Sequence, residues 1–168
     1  MKRKVRKSIW DANGPSKFEN DFSPKDRSLS ILRYVEHAKK QTGILCADDL
    51  RKIKRSIETV PRSPSKEDIK AYLVGVCGLD SVGIPIAICM LSRIRNSEFP
   101  PFDKFVLRGL LKADVINQDE FKILNRKNID SFSDIYVDKV LKCWLEKIEN
   151  GHKPSEIDEL WVSLGKTP

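Results

Sequence analysis

The sequence predicts an all-α protein, a compact bundle of about eight short helices. Three observations carry this expectation. Apolar residues recur at three- and four-residue spacing from Ser28 onward, no stretch alternates with period two for long, and prolines, glycines and capping residues punctuate the segments. No internal repeat is visible.

Residues 1–26 mix basic residues with Asn, Gly, Pro and Ser, with Trp10, Phe18 and Phe22 as the large apolar anchors. This predicts a flexible basic arm ahead of a helical domain at 27–168. Ile31, Leu32, Val35 and Ala38 then mark a helix that Gly43 ends, with His37 on its polar face. Residues 47–58 place acids in the first turn and bases in the last, complementing the helix dipole. The loop TVPRSP (59–64) follows, and Ser65 with Asp68 reads as the N-cap of a helix whose inner stripe is Ile69, Leu73 and Val76.

A short turn, GLDSVGIP (78–85), leads into the stripe Ile84, Ile88, Leu91 and Ile94. FPPF (99–102) breaks that helix, and Asp103 precedes another with Val106, Leu107, Leu110 and Leu111. A short helix is expected at 117–124. The longest pattern covers 132–149 (Tyr136, Val137, Val140, Leu141, Trp144, Leu145, Ile148), with Gly151 as its cap and a last helix at about 155–164. The spacing of Trp144 and Trp161 assigns both to the core.

The 168 residues carry 31 Lys+Arg against 24 Asp+Glu, a net charge of +7. Residues 1–7 alone hold five bases and no acid, so the body is nearly balanced at +2. A polyanionic partner is the expectation, met partly by the arm and partly by a local net +3 over residues 93–112, where Arg93, Arg95, Lys104, Arg108 and Lys112 cluster. With 40% hydrophobic and 33% charged residues the chain is neither disordered throughout nor a membrane protein. No apolar run approaches the roughly 20 residues of a membrane span, and the N-terminus lacks the apolar core of a secretory signal. Cys46, Cys77, Cys89 and Cys143 lie 31, 12 and 54 residues apart, and only His37 and His152 accompany them. That spacing favours reduced intracellular thiols over zinc or an iron–sulfur cluster, and Cys77, Cys89 and Cys143 are expected to pack in the core, as unbridged cysteines usually do.

Two segments point to chemistry. In L-D-S-V-G-I-P-I-A (79–87) a Val-Gly turn opens a helix, which leaves backbone amides aimed outward at the positive end of the helix dipole. In F-P-P-F-D-K-F-V-L-R (99–108), Asp103 follows Gly83 by 20 residues, one helix and one loop later, so the carboxylate can return beside the turn. A phosphate cradle beside a carboxylate suits cleavage of a nucleotide's glycosidic bond.

Over about residues 65–112 these segments resemble the helix-hairpin-helix DNA glycosylase superfamily, of the endonuclease III, MutY and AlkA kind. Leu79, Val82, Gly83 and Ala87 match the family hairpin, and Phe99, Pro100, Asp103, Val106 and Arg108 match the segment holding the catalytic aspartate. The sixteen-residue step from Ala87 to Asp103 equals the family's own. EIDELWVSLGK (156–166) looks like the closing helix of small bacterial relatives. The resemblance implies a glycosylase-type bundle acting on double-stranded DNA as a cytoplasmic, nucleoid-associated monomer. Asp103 would be the catalytic carboxylate. Ser81, the amides of Gly83 and Ile86, and the side chains of Lys104 and Arg108 would hold DNA phosphates. The carbonyls of Cys77, Leu79 and Val82 fall where relatives often hold a monovalent cation, K+ or Na+; no other cofactor is implied, and the iron–sulfur loop of some relatives is absent.

The departures are equally specific. Bifunctional members carry a Schiff-base lysine where this chain has Pro85, so a monofunctional glycosylase is expected. Asp80 and Ser81 replace the family's Pro and Gly, and Pro85 removes one amide from the cradle. These changes motivate two alternatives: a non-catalytic DNA-binding module, and the same chemistry directed at modified bases of foreign DNA in defence. Glu36 and Glu67 are general-acid candidates by chemistry alone.

Overall fold

The computed structural model describes residues 47–79, 82–95 and 98–168. The arm at 1–26, the helix expected after Ser28 with Glu36 and His37, Cys46, and the hairpin residues Asp80 and Ser81 lie outside the described residues. Within them the protein is all-α. The helices are α1 (Ala47–Thr59), α2 (Lys66–Cys77), α3 (Ile84–Ile94), α4 (Lys104–Lys112), α5 (Gln118–Leu124), α6 (Ile129–Ile135), α7 (Lys142–Glu149) and α8 (Pro154–Lys166), with a turn of π-helix, Tyr136–Leu141, joining α6 to α7. Among the described residues there is no strand, and no helix is long and apolar enough to cross a membrane.

The caps form where the sequence places them. Ser65 accepts from the Asp68 amide at 3.2 Å, and the Asp68 carboxylate accepts from the Ser65 amide at 2.8 Å, which closes a reciprocal capping box at the start of α2. Gly151, at φ +89, ends α7. Its amide donates to Ile148 and that of His152 to Lys147, both at 3.0 Å, satisfying two of the helix's last carbonyls.

α1 departs from expectation. It runs to Thr59, so Lys54 and Arg55 fall short of a last turn that contains no base. The cation arrives instead from α3. Arg95 Nη1 donates to the carbonyls of Ile57 and Val60 at 3.0 and 2.6 Å, Nη2 donates to Glu98 at 2.7 Å, and the guanidinium lies 5.4 Å from the Phe99 ring centroid. Its side chain is only 16% exposed. One arginine thus neutralises the end of α1 and fixes it against α3.

The pattern at 132–149 is part of one continuous helical rod that begins earlier, at Ile129, because the Asn128 side chain caps it by accepting from the Ser131 amide at 2.9 Å. The π turn inserts an extra residue into the rod and shifts its inward face. Upstream, Phe132 meets Phe102 edge-on at 4.9 Å and stacks on Tyr136 at 5.5 Å. Downstream, Trp144 meets Trp161 of α8 at 5.7 Å, and both indoles are fully buried. Cys89 is buried and Cys77 and Cys143 are half-buried; none of the three is in a disulfide.

α4 and α8 cross in direct backbone contact. A Cβ on Gly109 would land on the carbonyl of Trp161, and one on Gly165 on the carbonyl of Phe105 and 3.1 Å from the Gly109 amide. The two backbones touch through facing glycines because no side chain fits between them. Phe105 lies at the edge of this contact, with Lys104 Nζ 5.0 Å and Lys166 Nζ 5.7 Å from its ring centroid.

Candidate functional site

A cleft of about 710 Å3 opens where three segments meet: the α2–α3 turn, the start of α4, and the α5–α6 loop. The first contributes Cys77, Gly78, Leu79 and Val82–Pro85; the second Phe102, Asp103, Lys104 and Leu107; the third Leu124–Lys127 and Ile129. The volume lies within the range of sites that enclose one small molecule or one extruded nucleotide. The described residues of the hairpin and Asp103 therefore do share one cleft, as the 20-residue separation allows.

Asp103 is half-buried and extended (φ −146, ψ −177). Its Oδ1 accepts from the amides of Phe105 and Val106 at 2.8 and 2.9 Å, which caps α4 and holds the carboxylate in one orientation. The loop before it is fixed from two sides. The Cys89 thiol donates to the Phe102 carbonyl at 3.2 Å and accepts from the Phe102 amide at 3.3 Å. The Tyr136 hydroxyl donates to the Pro100 carbonyl at 3.0 Å. Phe99, Pro100, Pro101 and Phe102 are all buried. Across the hairpin the Tyr72 hydroxyl donates to the Ala87 carbonyl at 2.6 Å and joins α2 to α3. Burial pushes both phenols well above their ordinary range, so they stay protonated donors.

The hairpin side offers backbone donors. Gly83 is the N-cap of α3, exposed and without a side chain to cap the helix, and the first turn contains no acid. The amides of Ile84 and Ile86 have no acceptor within the helix. Between them Pro85, at the second helical position, has no N–H. Ile86 is half-buried and packs its side chain on the core, so its contribution is the amide. The expected cation ligands Cys77, Leu79 and Val82 all line the cleft. Val82 N donates to Leu79 O at 3.3 Å, which leaves that oxygen one lone pair. Neutral carbonyl oxygens remain a chemically suitable set for a hard monovalent cation.

The structure divides the basic cluster expected over residues 93–112. Lys104 lines the cleft. Arg108 is exposed one turn further along α4, beyond the cleft wall. Arg95 is committed to the carbonyls of α1. Lys112, at the far end of α4, donates to the Thr167 carbonyl and hydroxyl at 2.6 and 2.8 Å. Glu67 is exposed in the first turn of α2 and does not line the cleft. Sequence reasoning missed Arg126 and Lys127, which bring two more cations to the cleft. The run NRKN (125–128) between two helical patterns was the available signal.

The Arg95 assignment is testable. Arg95→Ala strands two helix-end carbonyls and one carboxylate, so it should lower unfolding stability by about 2 kcal/mol, as for hydrogen bonds to charged groups. It should leave the salt dependence of retention on a polyanionic column such as heparin unchanged. A weaker salt dependence with normal stability would return Arg95 to the exposed basic surface.

Cys77 reports on the cleft itself. Burial pushes its thiol up to about 11. Relative to an ordinary thiol its thiolate is about 100-fold scarcer at neutral pH, offset about tenfold by greater nucleophilicity. Iodoacetamide should therefore modify Cys77 about tenfold more slowly than a free cysteine, with the rate rising toward pH 11. Mass spectrometry of the individual cysteines reads this out, and full-rate labelling at neutral pH would contradict the buried environment.

Compared with family models, curated proteins and solved structures, the chain matches none of them.

Proposed function

We propose that the protein is a monofunctional DNA glycosylase that hydrolyses the N-glycosidic bond of a damaged or modified base after that nucleotide is extruded into the cleft. The observation that carries this proposal is the shared cleft: a carboxylate fixed by its own helix amides beside the uncapped N-terminus of α3.

In the proposed reaction the bond between C1′ and the base breaks, and its electron pair leaves with the base, which takes a proton from solvent. Positive charge develops on the sugar, and the Asp103 carboxylate stabilises it at close range in a partly dehydrated cleft. Water then adds its oxygen to C1′. Asp103 accepts the displaced proton and passes it to solvent. The Gly83 and Ile86 amides, with Ser81, Lys104 and Arg108, hold the flanking phosphates. The carbonyls of Cys77, Leu79 and Val82 would hold a monovalent cation that stiffens the turn. Pro85 offers no amine for a Schiff base, so strand cleavage is not part of the reaction.

A second assignment has its own supporting observation. Asp103 Oδ1 is engaged by two amides, which is the whole task of an ordinary N-cap, and a non-catalytic DNA-binding module would need no more. Incubation with duplexes carrying alkylated, oxidised, deaminated or enzymatically modified bases separates the two. Strand breaks that appear only after alkali support the glycosylase. DNA binding without abasic product on any substrate supports the binding module. Activity confined to enzymatically modified bases points to defence rather than repair.

A further inference from the structure

We propose that Arg126 and Lys127 of the α5–α6 loop form a second phosphodiester grip in this cleft, taking over contacts that Pro85 removes from the hairpin. The inference rests on the cleft being a DNA site and specifies how that site holds its strand.

Three observations converge. First, both residues line the cleft that contains Asp103 and the α3 N-terminus, yet they come from a different element. Second, both are exposed, and among the described residues no ion pair joins either of them to an acid. Elsewhere on the surface Lys66, Lys70, Lys122 and Lys139 all have carboxylate partners. Three cations, Lys104, Arg126 and Lys127, line this cleft against one carboxylate, Asp103, so its lining has a net positive charge that suits an anion. Third, the loop is fixed at both ends. Asn125 N donates to Phe121 O and Arg126 N to Ile123 O, each at 3.0 Å, and the Asn128 side chain caps α6. The cations therefore stand on a framed loop, and less order is lost when they engage a ligand.

The ligand chemistry follows from the rest of the cleft. Its floor is aliphatic, with Val82, Ile84, Leu107 and Leu124, and its rim carries Lys104, Arg126 and Lys127. That distribution suits a base or sugar inside and charged phosphates at the edge. The hairpin alone is a weakened cradle, because the second helical position of α3 lacks a donor. Guanidinium and ammonium groups from the facing loop replace backbone amides with charge-assisted contacts. A strand held at the hairpin and again at this loop has its extruded nucleotide suspended between two fixed phosphates.

The test is a salt titration. A short fluorescein-labelled duplex with one tetrahydrofuran abasic analogue is bound to the full chain across a KCl series, and log Kd is plotted against log[KCl]. Losing two phosphate contacts should lower the slope of the R126Q/K127Q variant by about 1.8. A charge-matched K142Q/K147Q variant, altered outside the cleft, should retain the slope of the unmodified protein. If both double variants shift the slope equally, or neither does, the proposed grip is wrong and the glycosylase assignment stands. If R126Q/K127Q alone lowers the slope while no substrate yields abasic product, the grip is supported and the catalytic assignment falls. Failure of the unmodified protein to bind this duplex overturns both.

Discussion

Asp103→Asn should lower single-turnover base release by about 10³-fold while leaving the fold intact. The substitution is informative because Asp103 has two separable tasks. As N-cap it accepts from the Phe105 and Val106 amides, and asparagine caps a helix about as well as aspartate. Thermal or urea unfolding should therefore shift by less than about 0.5 kcal/mol. As proposed catalyst it must carry a negative charge toward the sugar, and asparagine has none. Asp103→Ala removes both tasks and should lose activity together with about 1 kcal/mol of stability. Retention of base release in Asp103→Asn would reduce Asp103 to a cap.

The largest expected effect on stability lies at the α4–α8 crossing. Gly109→Ala and Gly165→Ala should each destabilise the protein by about 3 kcal/mol, the upper part of the range for overpacked cores. For a chain of this size that lowers Tm by about 10 °C. The sign is opposite to ordinary helix behaviour, where Gly→Ala gains up to about 1 kcal/mol. Gly75 in α2 is the control. A Cβ there meets nothing closer than Ser56 Oγ at 3.7 Å, so Gly75→Ala should raise Tm. If Gly109→Ala and Gly165→Ala also raised Tm, the two helices would not be in backbone contact.

What was legible in the sequence is what local interactions decide. Ser65 with Asp68, Gly151 after α7, and the stripes of α2, α3 and α4 depend on neighbours within one or two turns. The Asp103–hairpin juxtaposition was legible because one helix and one short loop separate them, which leaves little freedom in the return path. The role of Arg95 is not legible, because its acceptors, Ile57 and Val60, are 38 and 35 residues away, and nothing near position 95 marks an arginine drawn into the interior. Arg126 and Lys127 reach the cleft only through the packing of α5 and α6. The π turn has no local signal, since Tyr136–Leu141 reads as ordinary helix. Gly109 and Gly165 look like weak points of their own helices until the partner helix is present.

The glycine crossing also bears on the order in which the chain matures during synthesis. The helix that starts at Asp103 is made early, but the surface that locks it belongs to residues 161–165, so more than fifty residues must be translated before α4 has its partner. Until then the backbone around Phe105 and Gly109 is uncovered and the carboxylate sits on an unclamped helix. Nascent chains generally fold in units as they emerge. Here the hairpin and its two helices can assemble first, and the cleft around Asp103 can be completed only with α8. A message truncated before codon 154 should therefore yield a product that a quality-control protease removes, rather than a shortened folded protein.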